Sequence, residues 1–202
     1  MGTRLLLLLL TVVIVMLHGC HGDPDTTTNS EMKTIMQGMS NEMNAMTMTG
    51  DVDRDFASMM KLHHQGAITM ANKLLEKGSS AELKKMARQM IDKQTAEIAR
   101  LDTFLLNNNV RISDKGAALD ADMKEALDRM DRNAESQSLK GNIDSDFATL
   151  MIMHHASALE MANAFLKYSD QPGLREMASV MIVDQSEEID ALRNWLVNNR
   201  QF

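Results

Sequence analysis

Cysteine, proline and aromatic residues are scarce in this 202-residue chain. The single cysteine, Cys20, excludes an intramolecular disulfide framework and any zinc finger built on thiolates. Lys and Arg are outnumbered by Asp and Glu, 21 to 28, for a formal charge of −7. That balance excludes a nucleic-acid partner, since phosphate binding needs clustered Lys and Arg. The chain lacks Glu-x-x-His, His-Glu-x-x-His, Cys-x-x-Cys-His, Gly-x-Ser-x-Gly and a phosphate loop. Di-iron carboxylate, metalloprotease, c-type haem, serine-hydrolase and nucleotide readings therefore have no anchor. Val, Ile and Thr are sparse, while Ala, Leu, Met, Glu and Lys abound, which favours helices. Met stands out, with 20 residues, about a tenth of the chain.

The first residues read as an address. Arg4 precedes a thirteen-residue apolar run, Leu5–Leu17, and Asp23 opens a polar stretch. The run is too short to span a membrane and has the form of a secretory signal peptide over residues 1–22. Cleavage near Gly22 implies export to a secreted or periplasmic location. Leu17-His18-Gly19-Cys20 also resembles a lipobox, which would anchor the chain through Cys20, although His18 is unusual in that motif. No later run is long and apolar enough to cross a membrane.

Beyond residue 22 the chain is a duplication. Residues 53–109 align with 144–200 at an offset of 91, with 24 identities in 57 positions. The match continues weakly upstream through Met32/Met123, Met39/Met130 and Gly50/Gly141. Helices are expected near 53–77, 81–107, 144–168 and 173–199, capped at Asp53 and Asp144, with shorter ones near 31–48 and 117–135. Gly78 and the stretch 169–173 read as the turns. A 25-residue helix is about 37 Å long, and two such hairpins make an all-α, antiparallel four-helix bundle. The shorter helices lie outside it or cap it. The organisation is thus a signal peptide (1–22), a polar linker and Met-rich helix (23–52), and a duplicated bundle (53–202) whose repeats are joined by 110–143.

With residues 1–22 removed, four His remain, in two pairs: His63-His64 and His154-His155. At ~100° per residue, Phe56, Met60, His63, His64, Ala67, Met70 and Leu74 share one helix face. Gln94 and Glu97, with Gln185 and Glu188 in the second copy, fall on the inward face of the partner helices, where an apolar residue is expected. One buried His is ordinarily core packing, and one Met is a flexible gap-filler. Two matched His pairs on a Met-lined stripe point instead to metal. Thioethers suit Cu(I) and equally soft Ag(I), and imidazole suits copper in either oxidation state. Zinc more often takes thiolate or carboxylate with His, and calcium and magnesium take oxygen. In an oxidising compartment Met avoids disulfide chemistry, at the cost of sulfoxide formation.

Met32, Met36, Met39, Met43 and Met46 follow the i, i+4, i+7 rhythm of one helical face, with Met48 just beyond. They read either as packing or as a metal-collecting surface. The equivalent segment keeps only Met123 and Met130.

The pattern Asp-x-x-Phe-Ala-x-x-Met-x-x-His-His-x-x-Ala-x-x-Met-Ala begins at Asp53 and again at Asp144. It is followed in both copies by Leu-x-x-Met-Ala-x-x-Met-Ile-x-x-Gln-x-x-Glu-Ile. In these motifs the chain resembles the DUF305 family. The resemblance implies a ferritin-like four-helix bundle and an exported, Met-rich copper-binding protein linked to copper resistance. Carried over by position, it implies as ligands His63, His64, Met60, Met70, Met86 and Met90, with His154, His155, Met151, Met161, Met177 and Met181. Gln94, Glu97, Gln185 and Glu188 would orient the His rings. Ala156 and Ser157 replace Gln65 and Gly66, so the two copies need not be equivalent. The expectation is a copper-binding protein, not an enzyme, that sequesters, buffers or hands on copper, with a copper-donor or acceptor protein as partner. Its rivals are an oxidoreductase acting on the metal and a helical module without metal.

Overall fold

The computed structural model describes residues 26–139 and 141–199, and these are all-helical. The expected signal peptide (residues 1–22) and Cys20 lie outside the described residues. Six helices follow in order: α1 (Thr26–Ala45), α2 (Val52–Lys77), α3 (Ala81–Asn107), α4 (Gly116–Glu135), α5 (Ile143–Tyr168) and α6 (Pro172–Asn198). The four long helices match the expected spans to within a residue at each end. None of the described helices is long and apolar enough to cross a membrane.

The helix starts explain how the repeats interlock. Gly50 and Gly141, 91 residues apart, adopt φ of 80° and 71°, a left-handed turn that favours glycine. Each is followed by the N-cap: Asp51 accepts from the backbone N–H of Asp53 and Arg54, and Asn142 from Asp144 and Ser145. The expected caps Asp53 and Asp144 are therefore wrong by two positions, because the chain turns at the glycines and the helices begin earlier. Their carboxylates serve the opposite repeat instead. Asp144 accepts from Ser79 N–H at 3.1 Å and Ser80 N–H at 3.0 Å in the α2–α3 turn. Asp53 accepts from the Ser169 hydroxyl in the α5–α6 turn. At the other helix starts, Ser80 caps α3, and Gln171 caps α6 ahead of Pro172, where a missing N–H costs nothing.

Helices α2 and α5 pack on each other at the centre, with α3 on α2 and α6 on α5. Helices α1 and α4 also pack directly on this pair. Repeat-equivalent residues meet at three levels: Ser40 with Asp131 between α1 and α4, His63 with His154 between α2 and α5, and Lys93 with Asp184 between α3 and α6. A residue can touch its own repeat mate only near the axis relating the copies. A pseudo-twofold axis therefore runs through all three layers, with the histidines in the middle.

Phe56 stacks on Phe165 at 4.0 Å across the repeats, and the remaining core is largely Met, Leu and Ala. Met32, Met36, Met39 and Met43 are buried in it. This stripe packs α1 onto the central pair and is not an exposed collecting surface. Burial of a Met side chain is worth roughly 1.5–3 kcal/mol, which outweighs the weak intrinsic helix preference of the segment.

Candidate metal centre

All four histidines are fully buried, at 0 % exposure. His63 and His154 come from the adjoining faces of α2 and α5, and their rings stack with centroids 3.7 Å apart and planes tilted by 40°. His64 and His155, about 100° further round each helix, turn toward α3 and α6. There His64 Nε2 lies 2.7 Å from a Glu97 carboxylate oxygen, and His155 Nε2 lies 2.9 Å from Glu188. These are close approaches without hydrogen-bond alignment, since neither Nε2 has an aligned partner. The carboxylates thus sit where orienting groups are expected. Gln94 does not share that role: both its amide atoms lack a hydrogen-bond partner among the described residues, as does Gln185 Oε1.

The central rings are fixed through Nε2. His154 Nε2 donates to the His63 carbonyl at 3.0 Å and lies 3.3 Å from Met39 Sδ. A carbonyl only accepts, so His154 carries its hydrogen on Nε2. His63 Nε2 lies 2.7 Å from the Ser157 hydroxyl, which donates to the His154 carbonyl at 2.8 Å. The single hydroxyl proton is used there, so His63 also carries its hydrogen on Nε2. The Nδ1 atoms of all four rings are buried without a hydrogen-bond partner among the described residues. Burial, reinforced by the neighbouring imidazoles, holds His63 and His154 well below the ordinary histidine range, so both are neutral. Burial alone would raise the Glu188 carboxyl, but His155 and Lys93 outweigh it and bring it below its usual value. Lys93 lies 3.4 Å from Glu188 and 3.5 Å from Asp184.

The thioethers are spread more widely than the expected ligand set. Met60, Met70, Met151 and Met161 are fully buried in the core, with Met90, Met177 and Met181 nearly so. Met86 is only half-buried. Met86 and Met90 border an open cavity of about 470 Å³ between α3 and α6, lined also by Lys93, Asp184 and Glu188. Met39 Sδ lies against His154, and Met130 Sδ lies 3.3 Å from Ser157 Oγ, whose hydroxyl meets His63. Sequence reasoning did not put these two among the ligands. Their signal was present, because Met39 and Met130 occupy the same position in the two repeats.

Among the described residues no three His, Cys, Asp or Glu side chains converge on a point that could hold a metal. One thioether, Met39 Sδ, lies directly against a His ring, that of His154. Two family matches cover most of the chain, residues 16–105 and 107–196, to the family described as Domain of unknown function (DUF305). The chain belongs to the DUF305 family. The two matched segments are offset by 91 residues, the same offset that pairs His63 with His154. No curated protein matches. Among solved structures the DUF305 chain is similar to CopM in its Ag-bound form, obtained by soaking, at 30 % identity and TM-score 0.55 over 74 % of this chain and 97 % of that one. It is similar to the Cu(I)-bound form of CopM at 30 % identity and TM-score 0.54, over 72 % and 96 %. For the Cu(II)-bound form the values are 30 % and 0.54, over 73 % and 98 %.

Proposed function

We propose that this chain is an exported, non-enzymatic protein that binds copper in the interior of its helical bundle and serves to sequester or buffer the ion. The observation that carries the reading is the set of four buried imidazoles whose Nδ1 atoms have no hydrogen-bond partner among the described residues, with the Met39 sulfur against His154 and the Met130 sulfur against Ser157. Neutral imidazole with neutral thioether is a donor set that suits a soft monovalent ion. The similarity to CopM, solved with Cu(I), Cu(II) and Ag bound, supports the same ion class. The expected Met60, Met70, Met86 and Met90 and their repeat mates line the surrounding core and the α3–α6 cavity, and are proposed as secondary donors.

The test is metal analysis of the purified protein after exposure to Cu(I), Cu(II), Ag(I) and Zn(II) with a desalting step. Retention of copper and silver but not zinc is expected. Equal retention of zinc, or none of any ion, rejects the reading in favour of a helical module whose histidines serve packing. Sustained redox turnover of the bound copper rejects the non-enzymatic part.

A further inference from the structure

The two halves of the central pair are built from equivalent positions but are not chemically equal. In the first repeat Gly66 leaves room, and Met39 fills it: a Cβ at position 66 would overlap Met39 Sδ. His154 Nε2 then reaches both Met39 Sδ and the His63 carbonyl directly. In the second repeat the same position is Ser157. Its hydroxyl takes the place of the ring nitrogen, reaching Met130 Sδ at 3.3 Å and the His154 carbonyl at 2.8 Å, and His63 Nε2 donates to that hydroxyl at 2.7 Å. One imidazole thus stands against a sulfur, and the other is separated from its sulfur by a hydroxyl.

We propose that Ser157 is a positioning residue that confines thioether–imidazole binding to the Met39–His154 side and makes the centre a one-ion site. This rests on the reading that the centre binds metal. An ion held by Met39 Sδ and His154 Nε2 would need the Nε2 lone pair, and the two atoms, 3.3 Å apart, would have to part to admit it. The ring hydrogen would move to the unpartnered Nδ1, the bond from Nε2 to the His63 carbonyl would be given up, the imidazole would stay neutral, and no net proton would be released. On the other side, His63 Nε2 keeps its hydrogen in the bond to Ser157 Oγ, and the hydroxyl blocks the approach to Met130.

The experiment is a titration of the full-length chain, labelled at His ring nitrogens and Met methyls, with Ag(I), which undergoes no redox change under these conditions. The first equivalent is expected to convert His154 from the Nε2–H to the Nδ1–H pattern and to shift the Met39 methyl, leaving His63 and Met130 unchanged. In Ser157→Gly, His63 and Met130 respond as well, and affinity on their side rises by about tenfold, the effect of removing a satisfied hydrogen bond. Ser157→Ala removes the hydroxyl but keeps a Cβ, which at the equivalent position 66 would overlap the sulfur, so the His63 ring signals of the metal-free protein shift while the Met130 side gains no affinity. Equal response of both sides in the unmodified protein, or an unchanged asymmetry in Ser157→Gly, overturns the role of Ser157 while leaving metal binding intact. If no ring or thioether signal moves at any Ag(I) level, the metal reading falls and the proposal falls with it.

Discussion

His63 and His154, 91 residues apart, stack with ring centroids 3.7 Å apart, and each is tied by Nε2 into the backbone of the other: His154 directly to the His63 carbonyl, His63 through Ser157 to the His154 carbonyl. This reciprocal tie fixes the tautomer of both rings. It also leaves Nδ1 of each as a lone pair in a fully buried site. A pair of neutral imidazoles held this way is poorly suited to a proton, since protonating one ring puts charge beside the other in a buried site.

The first prediction concerns these rings. His63→Ala/His154→Ala removes two buried side chains and should lower stability by about 2–4 kcal/mol, the range for core truncations, without loss of helical content. Ag(I) and Cu(I) affinity should fall at least about tenfold, since each lost donor exceeds an ordinary hydrogen bond in worth. Chemical denaturation followed by circular dichroism reads the first effect, and competition with a chromophoric chelator reads the second. Unchanged affinity in the folded variant removes these rings from the ligand set.

The second prediction is pH dependence. Burial and the neighbouring imidazoles depress His63 and His154 in the folded state, whereas in the unfolded chain each titrates near its ordinary value of about 6.5. Between the folded and unfolded values the unfolded state binds more protons, so stability rises with pH. It is complete above about pH 6.5 and declines as pH falls from there toward the depressed folded values, by up to about 1.4 kcal/mol per pH unit for each ring. Urea midpoints of the metal-free protein at pH 7.5, 6.0 and 5.0 measure the slope. His63→Ala/His154→Ala should flatten it, and an equal slope in that variant assigns the effect to other groups. The same depression keeps the rings neutral for metal in mildly acidic solution, below the pH at which an exposed histidine would release it.

The fold was largely legible in the sequence because two signals were redundant. The 91-residue repeat and the 3.6-residue apolar rhythm both mark the long helices, so α2, α3, α5 and α6 were placed to within a residue at each end. The buried His pairs and the Glu97 and Glu188 contacts were legible for the same reason. The caps were missed because Asp51, Asp53 and Asp55 are alike in type, and only the left-handed Gly50 distinguishes which one starts the helix. Met39 and Met130 were missed because helical periodicity describes one helix at a time. Which sulfur lies beside which imidazole depends on how α1 and α4 cross the central pair, and that is a tertiary fact. The asymmetry at Gly66 and Ser157 was visible as a mismatch, but its meaning needs the His63–Ser157–Met130 contacts.

The third prediction compares the two acidic residues that cross between repeats. Asp144 is buried and accepts from two backbone N–H groups and a hydroxyl in the α2–α3 turn. Asp144→Ala leaves those donors unpaired and should destabilise by about 2–3 kcal/mol, the range for hydrogen bonds to a charged group. Asp53 accepts from the Ser169 hydroxyl and meets the well-exposed Arg111 only at 3.9 Å, an arrangement worth little beyond one hydrogen bond. Asp53→Ala should cost about 1 kcal/mol. Equal losses in urea midpoint would show that the reciprocal contacts, and not the number of donors each carboxylate satisfies, set the stability of the repeat junction.

The fourth prediction sets two opposing effects against each other at Gly66. Alanine in the middle of a helix is favoured over glycine by about 0.5–1 kcal/mol, so on propensity alone Gly66→Ala stabilises. The added Cβ, however, meets Met39 Sδ, with Met39 Cγ 2.8 Å away. Met39 is itself buried between α1 and the central helices, and although its side chain is flexible, the space into which it can withdraw is occupied by core. Overpacking of this kind costs about 1–3 kcal/mol, so the clash should win and the variant should lose about 1 kcal/mol net. The displaced sulfur also leaves His154. Gly66→Ala should therefore weaken Ag(I) binding and abolish the Met39 methyl shift, while Gln65→Ala, on the exposed face one residue away, should change neither. A Gly66→Ala protein that is more stable than the parent would show that Met39 relaxes freely, and the close seating of its sulfur against His154 would then be a packing accident with no bearing on the metal.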